Sequence, residues 1–475
     1  MNIPEAEQSN PVARFALRMT VWTERYMPDS FIFALLATIV VVILVLMVDG
    51  SVRANPTLLA TAWGNGFWTL LTFSMQASLT IIAGSALATT PPALKAIRWI
   101  ASRATTPRAA VATVAFFAMA AGWFNWAFSL IFAAILAKEF ARRIPKADYR
   151  ALGACSFLAL GTVWAQGLSG SASLFVATKG SMPPALVSII GGLIPLSQTI
   201  FLWQSLVTVV IEIVVVTIIA WMISPPADRV VTAADLQIDL GTGETPELKR
   251  SRPGDFFEFS PVLTILVAVV SIVYIIVRFA APGVGIAALD LNMVNFIFLI
   301  AAMLLHWRPA YFVQAIKDAT PAIWGVVLQF PFYAGIFGLI VSTKLSGAIA
   351  GAFLHVANHV TYPLFIGLYS MVLGLAVPSG GSKWIIEAPY VIQAAQQLHL
   401  HLGWVVSIYN LGEAMANLLQ PFWMLPALGI LQLRSRDIMG YTYLLAIFLI
   451  PIVLLMSVLF NLTLTPGSEV IPMVP

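Results

Sequence analysis

Eleven predominantly apolar runs divide the chain: 31–48, 66–88, 110–137, 151–178, 201–223, 260–279, 294–306, 320–341, 361–396, 404–430 and 439–460. About 20 such residues carry a helix across the hydrocarbon of a bilayer, so the pattern predicts an all-α polytopic membrane protein. Several runs have the wrong length for one crossing, or are interrupted by Gly, Pro and polar residues. Those runs carry most of the information.

Lys and Arg mark the cytoplasmic side of a membrane protein. Lys95, Arg98, Arg103 and Arg108 precede the run 110–137, and Lys138, Arg142, Arg143, Lys146 and Arg150 follow it. Both basic segments belong inside, so the run between them must enter and return. It is therefore predicted as a re-entrant hairpin with its tip at Gly122–Trp123–Phe124–Asn125–Trp126. Two arms of about 12 residues would each reach about 18 Å, to mid-bilayer. The same rule makes 361–396 a second hairpin, entering from outside, with its tip at Pro378–Ser379–Gly380–Gly381–Ser382. The layout is a cytoplasmic segment 1–30, a transmembrane repeat 31–223, a cytoplasmic linker 224–258, a second repeat 259–460 and an external tail 461–475. It has nine spans and two opposed hairpins. Twenty of the 25 Lys and Arg then face the cytoplasm; Arg53, Lys179, Arg278, Lys344 and Lys383 do not. The segment holding Arg14, Arg18 and Arg25, near 30 residues, is too long for the n-region of a signal peptide cleaved around Ser51–Ala54.

The order of elements in 25–223 recurs in 290–460 from the opposite side. Gln76 precedes Asn125 by 49 residues and Gln329 precedes Pro378 by 49; Gln166 precedes Gln420 by 254. The extra span 260–279 inverts the second half. Inverted repeats with interrupted hydrophobic segments at matching positions point to a secondary transporter whose site lies between the halves.

Composition narrows the alternatives. The 475 residues are 60% hydrophobic and only 10% charged, against about 25% charged in soluble proteins, which is too little to coat a soluble core. The net charge of +4 is not concentrated in any domain-sized basic stretch, which excludes a nucleic-acid-binding module. The single cysteine, Cys155, excludes a disulfide framework and a Cys-rich metal cluster.

Broken helices survive in lipid only where they are buried or line a cavity. Four breaks qualify: the two tips, the run Gln166–Gly167–Leu168–Ser169–Gly170–Ser171–Ala172–Ser173, and the run around Glu413–Pro421. At the second tip, Gly380 and Gly381 free the backbone, and the start of the following arm offers N–H groups and a positive dipole end to a carboxylate. Ser379 and Ser382 add hydroxyls and Lys383 a full charge, whose partner is either an anionic substrate or Glu387, one helical turn on. The substrate-binding candidates are therefore Ser379, Gly380, Gly381, Ser382 and Lys383, with Asn125, Ser169, Ser171 and Gln420 from the other breaks. Glu413, Asn417 and Gln166 are the coupling-ion candidates. Glu212 is a lone mid-span carboxylate, a proton carrier or the partner of a buried cation. Phe124, Trp126, Phe332 and Tyr333 are candidates for an apolar wall.

Gln329–Phe330–Pro331–Phe332–Tyr333–Ala334–Gly335–Ile336, Ala376–Val377–Pro378–Ser379–Gly380–Gly381 and Gln420–Pro421–Phe422–Trp423 resemble the bacterial short-chain fatty acid transporter family. Trp63–Gly64–Asn65–Gly66–Phe67–Trp68 and Arg436–Asp437–Ile438–Met439–Gly440–Tyr441 extend the resemblance over about residues 20–460. It implies an inner-membrane permease for small monocarboxylates such as acetate, butyrate or acetoacetate. It also implies membership of the ion-transporter superfamily, with re-entrant hairpins, broken helices and a homodimer. No cofactor is expected beyond H⁺ or Na⁺ as coupling ion. The N-terminus is expected inside and the C-terminus outside.

Two rivals are weighed against this reading. An ion exchanger of the same fold would place carboxylates at the centre, whereas the second tip offers Ser, Gly and Lys. An intramembrane hydrolase would use Ser169 in Gly167–Leu168–Ser169–Gly170, and would need a neighbouring imidazole as base. All five histidines, His306, His355, His359, His399 and His401, lie in the second half.

Overall fold

The apolar runs become helices whose ends are set by local capping. The computed structural model describes residues 30–241, 248–282, 284–377 and 379–465. Numbering the longer helices in order, the first set is α1 (Ser30–Val48), α2 (Thr57–Gly66), α3 (Leu71–Ala88), α4 (Pro91–Ala101), α5 (Pro107–Phe124), α6 (Trp126–Arg143), α7 (Tyr149–Ser156), α8 (Ser171–Ala177) and α9 (Trp203–Ile223). A connecting span, α10 (Val262–Ala280), follows. The second set is α11 (Leu291–His306), α12 (Pro309–Ala319), α13 (Trp324–Val341), α14 (Leu345–Val356), α15 (Tyr362–Ala376), α16 (Gly380–Gln397), α17 (Leu402–Asn417), α18 (Leu425–Leu431) and α19 (Ser435–Asn461). No strand occurs among the described residues.

The two sets match element by element: span, short helix, span, short amphipathic helix, hairpin, broken helix, span. In the first set α1, α3 and α9 are long and apolar enough to cross a bilayer, and the broken α7–α8, matching the bent α17–α18 of the second set, is counted as a fourth crossing. With α10 the number of crossings is odd, so the second set runs in the opposite direction. The repeats are inverted, as the spacing of Gln76, Asn125 and Gln166 predicts.

Both hairpins are present, with one revision. The arms of the first hairpin, α5 and α6, are each 18 residues, or about 27 Å at the helical rise, rather than the predicted 12. The basic segments on either side are themselves partly helical. Pro107 and the Thr106 cap start α5, and α6 runs on through Lys138 to Arg143. The predicted loop 91–108 likewise holds α4, which Thr90 caps at Ala93 N–H and which buries Ile97 and Ile100. The hairpin turns at Asn125, where an extended residue (φ −157°, ψ 123°) separates the arms. The second hairpin turns at Ser379, also extended (φ −155°, ψ 99°). Pro378, counted in that predicted tip, lies outside the described residues, as do Arg14, Arg18 and Arg25.

The broken helices are both real. The first consists of α7, two short 3-10 turns (Leu158–Gly161 and Val163–Gln166) and α8. The second bends by 76° between α17 and the segment Phe422–Leu431. Two apolar cores meet along these broken helices. Val163, Trp164 and Ala165 belong to one core, with Leu411, Ala414 and Leu418 of the second broken helix. Ala172, Leu174 and Phe175 belong to the other, with Trp404, Val405 and Ile408. Each broken helix thus starts in one core and ends in the other; the first breaks where it passes between them, whereas the second passes between them within α17, from Tyr409 to Leu411, and breaks later, inside the core it enters.

Lipid-facing and buried helices differ sharply. α10 buries only Thr264, Ala268 and Ser271, a single stripe at helical spacing, while Leu266, Val270 and Val277 are exposed. Every residue of α17 is buried.

Close backbone crossings tie the halves together. At the crossing of α2 on α13, a Cβ on Gly338 would lie 2.4 Å from the Ala62 carbonyl, and one on Gly66 would lie 2.6 Å from the Ala334 carbonyl. Such small-residue contacts let helices pack at short range in lipid. Gly338→Ala is expected to force the helices apart at a cost of about 1–3 kcal/mol, read as a lower thermal midpoint in detergent. Gly347→Ala, where a Cβ meets nothing within 4 Å, is the control and leaves the midpoint unchanged or slightly raised.

Candidate functional site

The four breaks converge on one narrow cavity of about 70 Å³. Trp126 comes from beside the first tip, Trp164, Ser169 and Ser171 from the first break, Ser379, Gly380 and Gly381 from the second tip, and Asn417 and Trp423 from the second break. Phe73, Ala77, Thr80 and Ile81 of α3, Leu160, Leu174 of α8, Leu291 of α11, and Val326 and Phe330 of α13 complete the wall.

The breaks are held open by hydrogen bonds that replace the missing helical ones. The Leu168 N–H donates to the Trp123 carbonyl at 2.7 Å, fastening the first break to the first tip. A Cβ at Gly167 would lie 2.3 Å from that same carbonyl oxygen, so glycine is needed for the approach. The Trp126 N–H donates to Ser169 Oγ at 2.9 Å and Trp164 Nε1 to the Ser169 carbonyl at 2.9 Å. From the second broken helix, Asn410 Nδ2 donates to the Ala165 carbonyl (2.8 Å) and Asn417 Nδ2 to the Leu160 carbonyl (3.0 Å). Two asparagines two turns apart thereby satisfy carbonyls freed by the first break.

The two tips differ chemically although they occupy equivalent positions, 254 residues apart. Asn125 Oδ1 accepts from the Phe128 N–H at 2.9 Å, and Asn125 Nδ2 donates to the Thr80 carbonyl at 3.3 Å. Both ends of the amide are used, and the first tip caps itself. Ser379 makes no such cap; its Oγ instead accepts from the Ser382 hydroxyl. The N–H groups of Gly380 and Gly381, at the start of α16, have no acceptor among the described residues, and both glycines line the cavity. A Cβ at Gly380 would meet Trp164 at 2.6 Å, and one at Gly381 would meet Phe73 at 3.0 Å.

Lys383 does not line the cavity. Its Nζ lies 2.7 Å from Glu413 Oε2, with side-chain exposures of 1% and 0%. It also donates to the Ser370 carbonyl and to Ser370 Oγ (2.8 Å) and sits 4.9 Å from the centroid of the Tyr409 ring. Of the two partners expected for Lys383, an anionic substrate or Glu387, neither is the one found: the ammonium pairs with Glu413, away from the cavity lining. Glu387 Oε2 accepts from the Tyr409 hydroxyl at 2.5 Å, and Lys383 turns instead toward α17. Its buried charge meets a tertiary partner with a carboxylate and three further oxygen or aromatic contacts, which outweighs a local turn-to-turn pair. Gly374 leaves room for this pair, since a Cβ there would lie 2.8 Å from Glu413 Oε2 and 3.4 Å from Lys383 Nζ.

The remaining predicted residues divide as follows. Ser169, Ser171, Ser379, Gly380, Gly381 and Asn417 line the cavity, while Ser382, Asn125, Gln166, Gln420 and Glu413 lie behind its wall. Asn417 Oδ1 accepts from Gln420 Nε2 (2.7 Å), and Gln420 Oε1 accepts from the Phe422 N–H (2.7 Å). Both side chains are spent on holding the break. Gln166 is fully buried with neither end of its amide hydrogen-bonded, and Glu413 Oε1 is likewise without a hydrogen bond. Among the apolar-wall candidates only Trp126 lines the cavity. Phe124 is 51% exposed, Phe332 packs with Phe31, Trp63 and Phe67, and Tyr333 is buried with its hydroxyl unbonded. Sequence reasoning missed Asn410, Ser370, Tyr409 and Phe73. The signal for Asn410 was its spacing from Glu413 and Asn417 on one face of an otherwise apolar helix. Ser169 has no imidazole hydrogen-bonded to it among the described residues. His306 is bonded to the Ala86 carbonyl and His401 to Gln198.

Two inverted repeats, each with a hairpin and a broken helix meeting at a shared cavity, define the fold. Solved structures of this fold include the Alcanivorax borkumensis YdaH transporter (TM-score 0.55, 16% identity, covering 92% of this chain and 98% of that one). The Neisseria gonorrhoeae MtrF structure, described for a class of antimetabolite efflux pumps, aligns with a TM-score of 0.58 at 13% identity, covering 95% of this chain and 100% of that one. The chain itself belongs to the short-chain fatty acid transporter family, whose model matches residues 11–461. It is 38% identical over 431 residues to an Escherichia coli K12 protein provisionally named a short-chain fatty acid transporter, covering 90% of this chain and 96% of that protein. A Haemophilus influenzae protein with the same provisional name is 37% identical over 450 residues, covering 93% and 98%.

Removing one member of a buried ion pair leaves an uncompensated charge and costs about 3–5 kcal/mol, whereas an apolar replacement of both is nearly neutral. Lys383→Met and Glu413→Leu are each expected to lower the thermal midpoint strongly. The double variant is expected to recover most of the loss, as measured by thermal unfolding in detergent.

Proposed function

We propose that this protein takes up small monocarboxylates such as acetate, butyrate or acetoacetate across the bacterial cytoplasmic membrane, coupled to inward flow of H⁺ or Na⁺. The observation that carries this reading is the uncapped start of α16. Ser379 and the two glycines, whose N–H groups have no acceptor among the described residues, line a cavity whose other walls combine Phe73, Phe330, Leu174, Val326 and three tryptophans with Thr80, Ser169, Ser171 and Asn417. Donors at a helix N-terminus suit a carboxylate, and the aromatic and aliphatic remainder suits a short alkyl tail.

The absence of a cationic side chain from the cavity wall, among the described residues, supports coupling to a cation. Lys383 is neutralised by Glu413, so a lone carboxylate would bring an unbalanced charge to a site of low dielectric. A co-transported cation balances it. Gln166, with its unbonded amide, and Glu413, with its unbonded Oε1, lie behind the cavity wall, and we assign coupling to them. The ion is cargo of the same cycle as the carboxylate.

Reconstituted into proteoliposomes, the protein is expected to take up labelled butyrate saturably and faster under an inward H⁺ or Na⁺ gradient. Absence of saturable uptake of every C2–C6 acid under every gradient overturns the assignment. Gly381→Ala, which places a Cβ against Phe73, is expected to reduce uptake tenfold or more. Phe73→Ala is expected to shift preference toward longer acids, by about fourfold in relative kcat/KM per added methylene, since each buried CH₂ contributes about 0.8 kcal/mol.

A further inference from the structure

A second, larger space of about 890 Å³ adjoins the cavity and shares Ile81, Trp126 and Trp423 with it. It is a vestibule on the side of the protein that carries the basic segments. Along α6 its lining is one helical stripe: Trp126, Leu130, Ile131, Ile135, Lys138 and Arg142. The stripe is apolar from the cavity outward until Lys138, twelve residues and about 18 Å from Trp126.

The two cations at the end of the stripe are held differently. The Arg142 guanidinium is taken up by Glu139 (2.8 Å) and by the Leu240 and Gly241 carbonyls of the linker at 2.5 and 3.1 Å. Lys138 Nζ makes only two long contacts, 3.4 Å each, to the carbonyls of Asp239 and Ile430. It has no carboxylate within ion-pair distance among the described residues. The vestibule's own acid, Asp318, accepts from Gln314 Nε2 at 2.8 Å on α12. Lys138 is therefore a half-buried, under-coordinated ammonium at the end of an apolar path leading to a site without a cation of its own.

We propose that Lys138 is a second docking station for the transported carboxylate, a site at the cytoplasmic mouth that holds the anion between the cavity and the solution on that side. The inference rests on the carboxylate reading of the cavity and adds a residue to it. An ammonium at the mouth raises the local concentration of a small anion and speeds its passage. The alkyl tail meanwhile slides against Ile135, Ile131 and Leu130. The station lowers the barrier between solution and cavity in both directions and leaves the final affinity of the cavity as it is.

The test separates rate from affinity. Lys138→Gln in the full-length protein is expected to lower kcat/KM about tenfold for butyrate presented at the face that carries Lys138, measured as efflux or exchange from that side, in line with electrostatic steering of a small anion. The equilibrium Kd for butyrate, measured by calorimetry, is expected to stay within twofold, as is the thermal midpoint. The fall in rate with added salt should flatten in the variant, and Lys138→Arg should restore both rate and salt dependence. In Lys138→Cys, a cationic thiosulfonate reagent should restore transport and an anionic one should not. An unchanged kcat/KM in Lys138→Gln, or a Kd that weakens in step with the rate, overturns the station while leaving the cavity reading intact. A wild-type protein that neither binds nor carries any C2–C6 carboxylate overturns both.

Discussion

The structure depends on one constraint: backbone polar groups exposed by two helix breaks inside the hydrophobic interior must find partners in the protein itself. The partners are a small set. Asn410 and Asn417 reach across to the Ala165 and Leu160 carbonyls, Trp164 serves the Ser169 carbonyl, and the Leu168 N–H takes the Trp123 carbonyl. These bonds require close approach, which explains why Gly161, Gly167 and Gly170 cluster in the first break. A Cβ on Gly161 would strike Leu418 at 2.2 Å, and one on Gly170 would lie 2.9 Å from the Ala165 carbonyl. The first break sits where the two apolar cores abut, and Trp126 beside the first tip packs against both cores. The cavity is lined from both cores, by Leu160 and Trp164 of one and Phe73, Leu174 and Phe330 of the other.

A second consequence concerns charge. With so few charged residues, each one at membrane depth needs a dedicated partner. Lys383 has Glu413, Ser370 and the Tyr409 ring, and Glu387 has the Tyr409 hydroxyl. The network joins both arms of the second hairpin to α17, so the hairpin and the second broken helix are bound as one body. Because the pair is internally neutral, it fixes geometry without giving the cavity a net charge. Ser370 Oγ also donates to the Tyr409 carbonyl at 2.6 Å, which closes the network on the backbone.

Much of this was legible in the sequence because lipid restricts what an apolar segment can be. The positions of Lys and Arg were enough to require both hairpins, and small or polar residues inside apolar runs located all four breaks. The arm lengths of the first hairpin were misjudged because apolarity stops before the helix does: α6 continues through Lys138, Glu139 and Arg142, which hydropathy reads as loop. Partner choice was also beyond the sequence. Glu387 is the neighbour of Lys383 along the chain, but the ammonium is aimed at α17, and that direction is set by packing. Phe73 was invisible for a similar reason. An aromatic residue near the start of an ordinary span carries no mark, and its role arises only because α3 lays its ring over Gly381 and stacks it on Phe330, 5.6 Å between centroids.

The inverted repeat makes the two halves comparable, and the comparison explains why one tip is suited to a ligand and the other is not. Asn125 and Ser379 hold the same place, each an extended residue heading the second arm of a hairpin. Asparagine has the reach to cap its own helix, and its amide also bonds the Thr80 carbonyl of the neighbouring span. Gly84 makes way for it, since a Cβ there would lie 2.2 Å from Asn125 Oδ1. That tip is closed by its own side chain and serves to anchor α6. Serine is shorter, and its hydroxyl is engaged sideways by Ser382, so the N–H groups of Gly380 and Gly381 are left facing the cavity. A duplicated architecture thus supplies two equivalent helix N-termini near the centre of the protein, and the side chain at one position in each decides which stays available to an anion. The glycines that follow Ser379 reinforce the choice, because any larger residue would close the gap to Trp164 or Phe73 through which those donors reach the cavity.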